Sequence, residues 1–218
     1  MNDKIFSPEQ KLFLDVFAHE KNLSEKFYLS GGTASAGYYI PYRYSEDLDF
    51  FSEEEIDVEE IVVFMKSNKN TFGYEEIDIN TSYNRNLIYL KFKNATLKTE
   101  FTYYPFTQIE KPKIVDEIKI DSVLDIAVNK VFTIYQKPRF RDFTDLYMIH
   151  QKYGYELSEL MKKAKLKFDW HIDPLKMGSQ LLMVNELQDY PRLIEELDTN
   201  WQDYFIKEAK KLGEDIIS

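Results

Sequence analysis

Cysteine is absent from this 218-residue chain. That excludes disulfides, thiolate metal ligands and cysteine nucleophiles together. Histidine is scarce: His19, His150 and His171 share no metal-ligand spacing, and His150 falls near the apolar face of its predicted helix, as a core residue would. Long apolar runs are missing too. The longest covers five residues, Ile61 to Met65, where a membrane span needs about 20. The opening MNDKIFSPEQ lacks the apolar segment of a secretory signal, so the expectation is a soluble, cytoplasmic protein with no membrane partner. Positive charge is also in short supply: 28 Lys and Arg against 38 Asp and Glu leave a formal net charge of −10. Extended duplex nucleic acid is bound chiefly through Lys and Arg, so no such partner is expected. A small basic pocket stays compatible with this balance.

Aromatic residues, by contrast, make up 16% of the chain, enough to bury a substantial core. At roughly 150 residues per domain, the length predicts one domain plus an appendage. A helix is predicted over 8–20, with Ser7 as cap and Pro8 in first position. Phe27 to Leu29 reads as a strand stopping at Ser30-Gly31-Gly32, and a helix follows over 33–39 until Pro41. Residues 47–51 alternate carboxylate and apolar side chains as a half-buried strand does. Asp57 caps a predicted helix over 58–67. Three strand-like stretches follow at 73–80, 86–93 and 96–104, the last two joined as a hairpin at Lys93-Asn94-Ala95. After Pro105 and Pro112 the period turns helical: 121–136, 141–152, 156–165, 175–187 and 190–212. The chain therefore divides into an α/β half over 1–115 and an all-helical half over 116–218, with Trp170 and Trp201 expected in the helical core.

Two short stretches carry chemistry. Asp47 and Asp49 stand two apart on a strand and so share a face, while Leu48 and Phe50 point to the core. Like charges ~7 Å apart repel unless a cation lies between them. Carboxylate oxygens suit Mg²⁺ or Mn²⁺, which bind one or two carboxylates plus the phosphates of a substrate. Gly31-Gly32 before a helix allows the backbone to approach a phosphate, with Thr33 adding a hydroxyl. A turn and a solvated acidic strand are the plain alternatives. Together, in this order, the two stretches describe a metal-assisted phosphoryl or nucleotidyl transferase.

Gly31-Gly32-Thr33-Ala34 followed by Arg43-Tyr44-Ser45-Glu46-Asp47-Leu48-Asp49-Phe50-Phe51 resembles the AbiEii/AbiGii-type toxin nucleotidyltransferases of the DNA polymerase β-like superfamily. The resemblance implies an α+β fold: a mixed sheet with flanking helices, then a helical C-terminal domain. It implies that Gly31, Gly32 and Thr33, with Arg43 and Ser45, hold the nucleotide, and that Asp47 and Asp49 bind metal. Relatives often carry a His before the Arg, where this chain has Tyr42. A third carboxylate is implied on a later strand. Glu100, opposite in face to Leu97 and Phe101 and beside Lys98 and Thr102, is chosen as metal ligand and candidate general base, ahead of Glu75, Glu76 and Asp78.

In the helical half, Lys130 sits within the apolar stripe of Val123, Ile126, Val131 and Ile134, and Asp142 lies on the apolar face of the next helix, with Asp145 on its flank. A charge placed there needs a partner or a task. The Arg141-Asp142-x-x-Asp145-Leu146-Tyr147 segment extends the resemblance over residues 27–150 and implies nucleotide contact for Lys130 and a site or structural role for Asp142. A Lys at the stripe edge and a buried ion pair are the alternatives. Lys137, Arg139 and Arg141 form a basic cluster that touches phosphate or is a solvated loop. The implied activity is transfer of NMP from an NTP, with Mg²⁺ or Mn²⁺, to an acceptor hydroxyl on tRNA or protein, by a toxin paired with an antitoxin. A resistance-type adenylyltransferase for a hydroxylated drug and a catalytically silent binding module of the same fold are the competing readings.

Overall fold

The computed structural model describes residues 5–217. It separates into two compact units, dividing between Ser122 and Val123. The first holds helices α1 (Pro8–His19) and α2 (Lys21–Ser24), strand β1 (Tyr28–Ser30), and α3 (Gly31–Ala34), which widens into a π-helical turn over Ser35–Tyr39. Strand β2 (Asp47–Ser52), helices α4 (Val58–Ser67) and α5 (Lys69–Phe72), and strands β3 (Glu76–Thr81), β4 (Arg85–Lys91), β5 (Thr96–Tyr103), β6 (Lys113–Val115) and β7 (Ile118–Ile120) complete it. The strands form one mixed sheet in the order β3-β4-β5-β2-β1-β7-β6. β2 runs parallel to β5 and β1 parallel to β7, and the other neighbours are antiparallel.

Local chemistry explains the element ends. Ser7 and Gln10 form a capping box at α1, with Pro8 at the first helical position. Asp57 accepts from the Glu59 N–H at 2.9 Å to start α4. Gly73, at φ +76°, ends α5, so the strand expected from residue 73 begins at Glu76. Residues 113–120, read as a connection, instead form the β6–β7 hairpin; strands of three residues are too short to show a period. The hairpin keeps this stretch in the sheet, past the expected division at 115/116.

One sheet face carries an aromatic core. Phe50 of β2 stacks on Phe101 of β5 at 5.0 Å and meets Phe17 of α1 at a tilt at 4.4 Å, and Phe13 stacks on Phe72 at 5.3 Å. These rings are buried with Leu29 and Leu48. Strand period then forces the intervening residues of β2, Asp47 and Asp49, to the opposite face, where both are half-buried.

The second unit contains α6 (Val123–Gln136), α7 (Phe140–Tyr153), α8 (Leu157–Phe168), α9 (Pro174–Leu182) with a 3₁₀ turn over Met183–Asn185, and α10 (Trp201–Ile217). Phe132 stacks on Phe168 at 4.0 Å, and Phe143 meets Phe205 edge-on at 4.9 Å. The helix expected over 190–212 begins only at Trp201. Residues 187–200 are irregular, as Pro191 disfavours helix there and two acids anchor the segment: Asp189 caps the Phe140 N–H at 2.9 Å and Asp198 accepts from the Tyr147 hydroxyl at 2.9 Å. Trp201 is buried as expected, but Trp170 is 56% exposed, in the short connection after α8 rather than on a packed helix face. His150 bonds the Tyr155 carbonyl at 2.9 Å and stacks on Tyr204.

Candidate active site

The site is assembled from the ends and faces of β1, β2, α3 and β5. Gly31 follows β1 with φ +68°, and a Cβ built on it would stand 2.4 Å from Asp49 Oδ2. Only glycine lets the turn backbone lie against that carboxylate in that conformation. A Cβ on Gly32 would stand 2.3 Å from Arg43 Nη2 and 3.1 Å from Ser45 Oγ. The two glycines thus bring the start of α3 against three residues of the motif that follows, Arg43, Ser45 and Asp49.

The loop between α3 and β2 is tied down on several sides. Thr33 is fully buried; its hydroxyl pairs with Ser45 Oγ at 2.8 Å and lies against the Asp47 carbonyl. Arg43, also buried, donates to the Tyr44 carbonyl at 2.9 Å. Gln10 of α1 donates from Nε2 to the carbonyls of Ser45 and Glu46 at 3.0 and 3.1 Å. Thr33 and Ser45 therefore fix the backbone entering β2. At the end of β1, Ser30 donates to the buried Asp121 at 2.6 Å, and Gln108 donates to the other oxygen of that carboxylate at 2.7 Å.

Register places the carboxylates in adjacent rows. Asp47 pairs with Lys98 and Asp49 with Glu100 across β2 and β5, while Ser30 lies beside Asp49 across β1 and β2. Each outer carboxylate has a cation. Lys98 Nζ is 2.6 Å from Asp47 Oδ2, both side chains about one-quarter exposed (26% each). Arg85 of β4 grips Glu100 with two bonds of 2.6 Å, Nε to Oε1 and Nη2 to Oε2, and Thr102 donates to Oε1 at 2.9 Å. Burial pushes the Glu100 carboxyl up, but the bonds and charge of Arg85, helped by Thr102 and Lys98, outweigh it and hold the group below its ordinary value.

Among the described residues, no three His, Cys, Asp or Glu side chains are grouped to hold a metal ion by themselves. The donor set fits a cation of the Mg²⁺ type in a more limited way. Asp47 and Asp49 are oxygen donors on one face, next to a glycine turn, and Mg²⁺ commonly takes one or two carboxylates and completes its shell with substrate phosphates and water.

The helical unit brings the other expected charges together. Lys130 is 2.7 Å from Asp142 Oδ1 and 2.6 Å from Asp145 Oδ2, with both carboxylates wholly buried. Asp145, expected on the flank, is thus inside. Arg139 of the basic cluster donates from Nε to Asp142 Oδ2 at 2.7 Å. Burial raises the Asp142 carboxyl, yet Lys130 and Arg139 hold it below its ordinary value. A second buried pair, Lys167 with Asp125 at 2.6 Å, lies in the same unit. The sequence reading did not single out Arg85, Asp121, Lys167 or the Lys98–Asp47 bridge. Cross-strand register and packing create these partnerships, and the only signal was the position of Lys98 beside Glu100.

The family model of the nucleotidyl transferase AbiEii toxin, of a type IV toxin–antitoxin system, matches residues 13–215. The chain belongs to this AbiEii nucleotidyltransferase toxin family. The match runs through both units, so the helical part is included in the family's extent. An uncharacterized protein of Aquifex aeolicus, aq_aa25, is 27% identical over 193 residues, covering 85% of this chain and 87% of that protein. Two Helicobacter pylori crystal structures share the fold at 20% identity. JHP933 aligns with a TM-score of 0.60 over 95% of this chain and 91% of its own. The other, described as a putative nucleotidyltransferase, aligns with a TM-score of 0.61 over 97% of each chain. Fold and family are those of nucleotidyltransferases. Among the described residues, no helix is long and apolar enough to cross a membrane.

Proposed function

We propose that the protein transfers a nucleoside monophosphate from an NTP to an acceptor hydroxyl, with Asp47 and Asp49 holding Mg²⁺ or Mn²⁺. The observation that carries this reading is the Gly31 turn seated against the Asp49 carboxylate, because it sets a glycine backbone beside an oxygen donor of the type Mg²⁺ takes. A bound divalent cation supplies Lewis-acid stabilisation of charge on the transferring phosphoryl group. The chain's own residues do the rest. Gly31 and Gly32 admit the triphosphate to the backbone N–H groups of α3, while Thr33, Ser45 and Gln10 hold β2 in place. The acceptor oxygen bonds to the α-phosphorus as the bond to pyrophosphate breaks, and the hydroxyl proton passes to solvent water.

Family membership favours a toxin that acts in the cytoplasm on tRNA or protein and is neutralised by an antitoxin. The test is incubation with each labelled NTP and Mg²⁺ over tRNA, protein and hydroxylated small molecules in parallel. Label is expected on tRNA or protein. Asp49→Asn should lower transfer by about 10²–10³-fold, a loss of several kcal/mol of transition-state stabilisation. Label confined to a small molecule would favour the drug-modifying reading. No transfer from any NTP, with no shift in melting temperature on adding NTP and metal, would favour the silent module.

A further inference from the structure

The third carboxylate is held through both of its oxygens. Glu100 is 8% exposed in its side chain, and its oxygens already accept two bonds from Arg85 and one from Thr102. A carboxylate gripped by a two-pronged guanidinium is fixed in orientation and neutralised. Arg85, in turn, is 58% exposed. It carries more N–H donors than these two bonds use, and its charge acts on Asp49 as well as on Glu100. Register explains the juxtaposition: Arg85 pairs with Thr102, which lies two residues beyond Glu100 on the same face of β5, and Glu100 pairs with Asp49. A half-exposed arginine is thus anchored one strand beyond the carboxylates. Among these side chains, a planar cation of this kind is the one best suited to bind phosphate oxygens in pairs.

We infer that Glu100 is the positioning residue of a phosphate-binding arginine rather than a third metal ligand, and that Arg85 contacts the triphosphate of the NTP. The inference rests on the transferase reading above and replaces the role first expected for Glu100. It leaves Asp47 and Asp49 as the protein's metal-binding pair. No bond is made or broken at Arg85; it binds charge that is already on the substrate.

The test is calorimetric binding of α,β-methylene analogues of the four NTPs, without acceptor, across a Mn²⁺ series. Melting curves and circular dichroism check the fold of every variant. Arg85→Ala should weaken binding by about tenfold or more, and Arg85→Lys should recover part of the loss. Glu100→Gln should weaken nucleotide binding while leaving unchanged the Mn²⁺ concentration that gives half-maximal binding. A Glu100→Gln variant that needs far more Mn²⁺, with Arg85→Ala behaving as wild type, would establish Glu100 as a metal ligand and overturn the inference. Wild-type binding matched by Arg85→Ala would overturn it while leaving the transferase reading intact. Failure of the wild type to bind any NTP overturns both.

Discussion

Charged side chains are used in two opposite ways in the two units. In the sheet unit, the Lys98–Asp47 and Arg85–Glu100 pairs each have a cation reachable by solvent. In the helical unit, Lys130, Asp142 and Asp145 are sealed from solvent, as are Lys167 and Asp125. A pair with an accessible cation contributes little to stability, and its cation keeps N–H groups that a substrate can reach. A sealed pair loses several kcal/mol when one member is removed, because the other is left buried without compensation. The same residue types therefore stand within reach of a ligand in one place and serve architecture in the other.

The largest expected effect sets the two arrangements side by side. Lys130→Ala should destabilise the protein by about 3–5 kcal/mol, whereas Lys98→Ala should change stability by less than about 1 kcal/mol. Denaturant unfolding of both variants measures this, and equal losses would erase the distinction. Gly31→Ala should have an intermediate effect. Its left-handed backbone costs about 1–2 kcal/mol with a Cβ, and the methyl group collides with Asp49. Transfer activity should fall in this variant by a larger factor than stability alone accounts for.

The smallest effect is on acid stability. The Glu100 carboxyl is held below its ordinary value of 4.5, so its ionised form stabilises the fold above that pH. The contribution fades as pH falls through the depressed native value. Glu100→Gln should therefore flatten the acid limb of a stability–pH curve without altering its shape near neutrality. An unchanged acid limb would mean that the grip of Arg85 has no energetic weight.

Much of this architecture was legible before any coordinates. The alternation in β2 placed Asp47 and Asp49 on one face, and the helical period put Lys130 and Asp142 inside, because both depend on residues near in sequence. The Arg85–Glu100 grip lies inside the expected β4–β5 hairpin but escaped because Arg85 falls one residue before the strand expected over 86–93. The Lys98–Asp47 bridge depends on a parallel register between strands far apart in the chain, and such a pairing has no local signature. The β6–β7 hairpin escaped because each strand is three residues long. The helix expected at 190–200 failed because Asp189 and Asp198 bond to side-chain and backbone groups of α7, a tertiary preference that overrides the local pattern.

The placement of β2 between β1 and β5 also governs when the site comes into being. A ribosome delivers the glycine turn and both aspartates early, but Glu100 follows Asp49 by 51 positions. Residues 53–95 must emerge before β5 can close beside β2 in parallel, a non-local pairing of the kind that folds slowly. A nascent or truncated chain ending before β5 has the motif without the strand that orders it. The paired strands can therefore form only after nearly half the chain has been made.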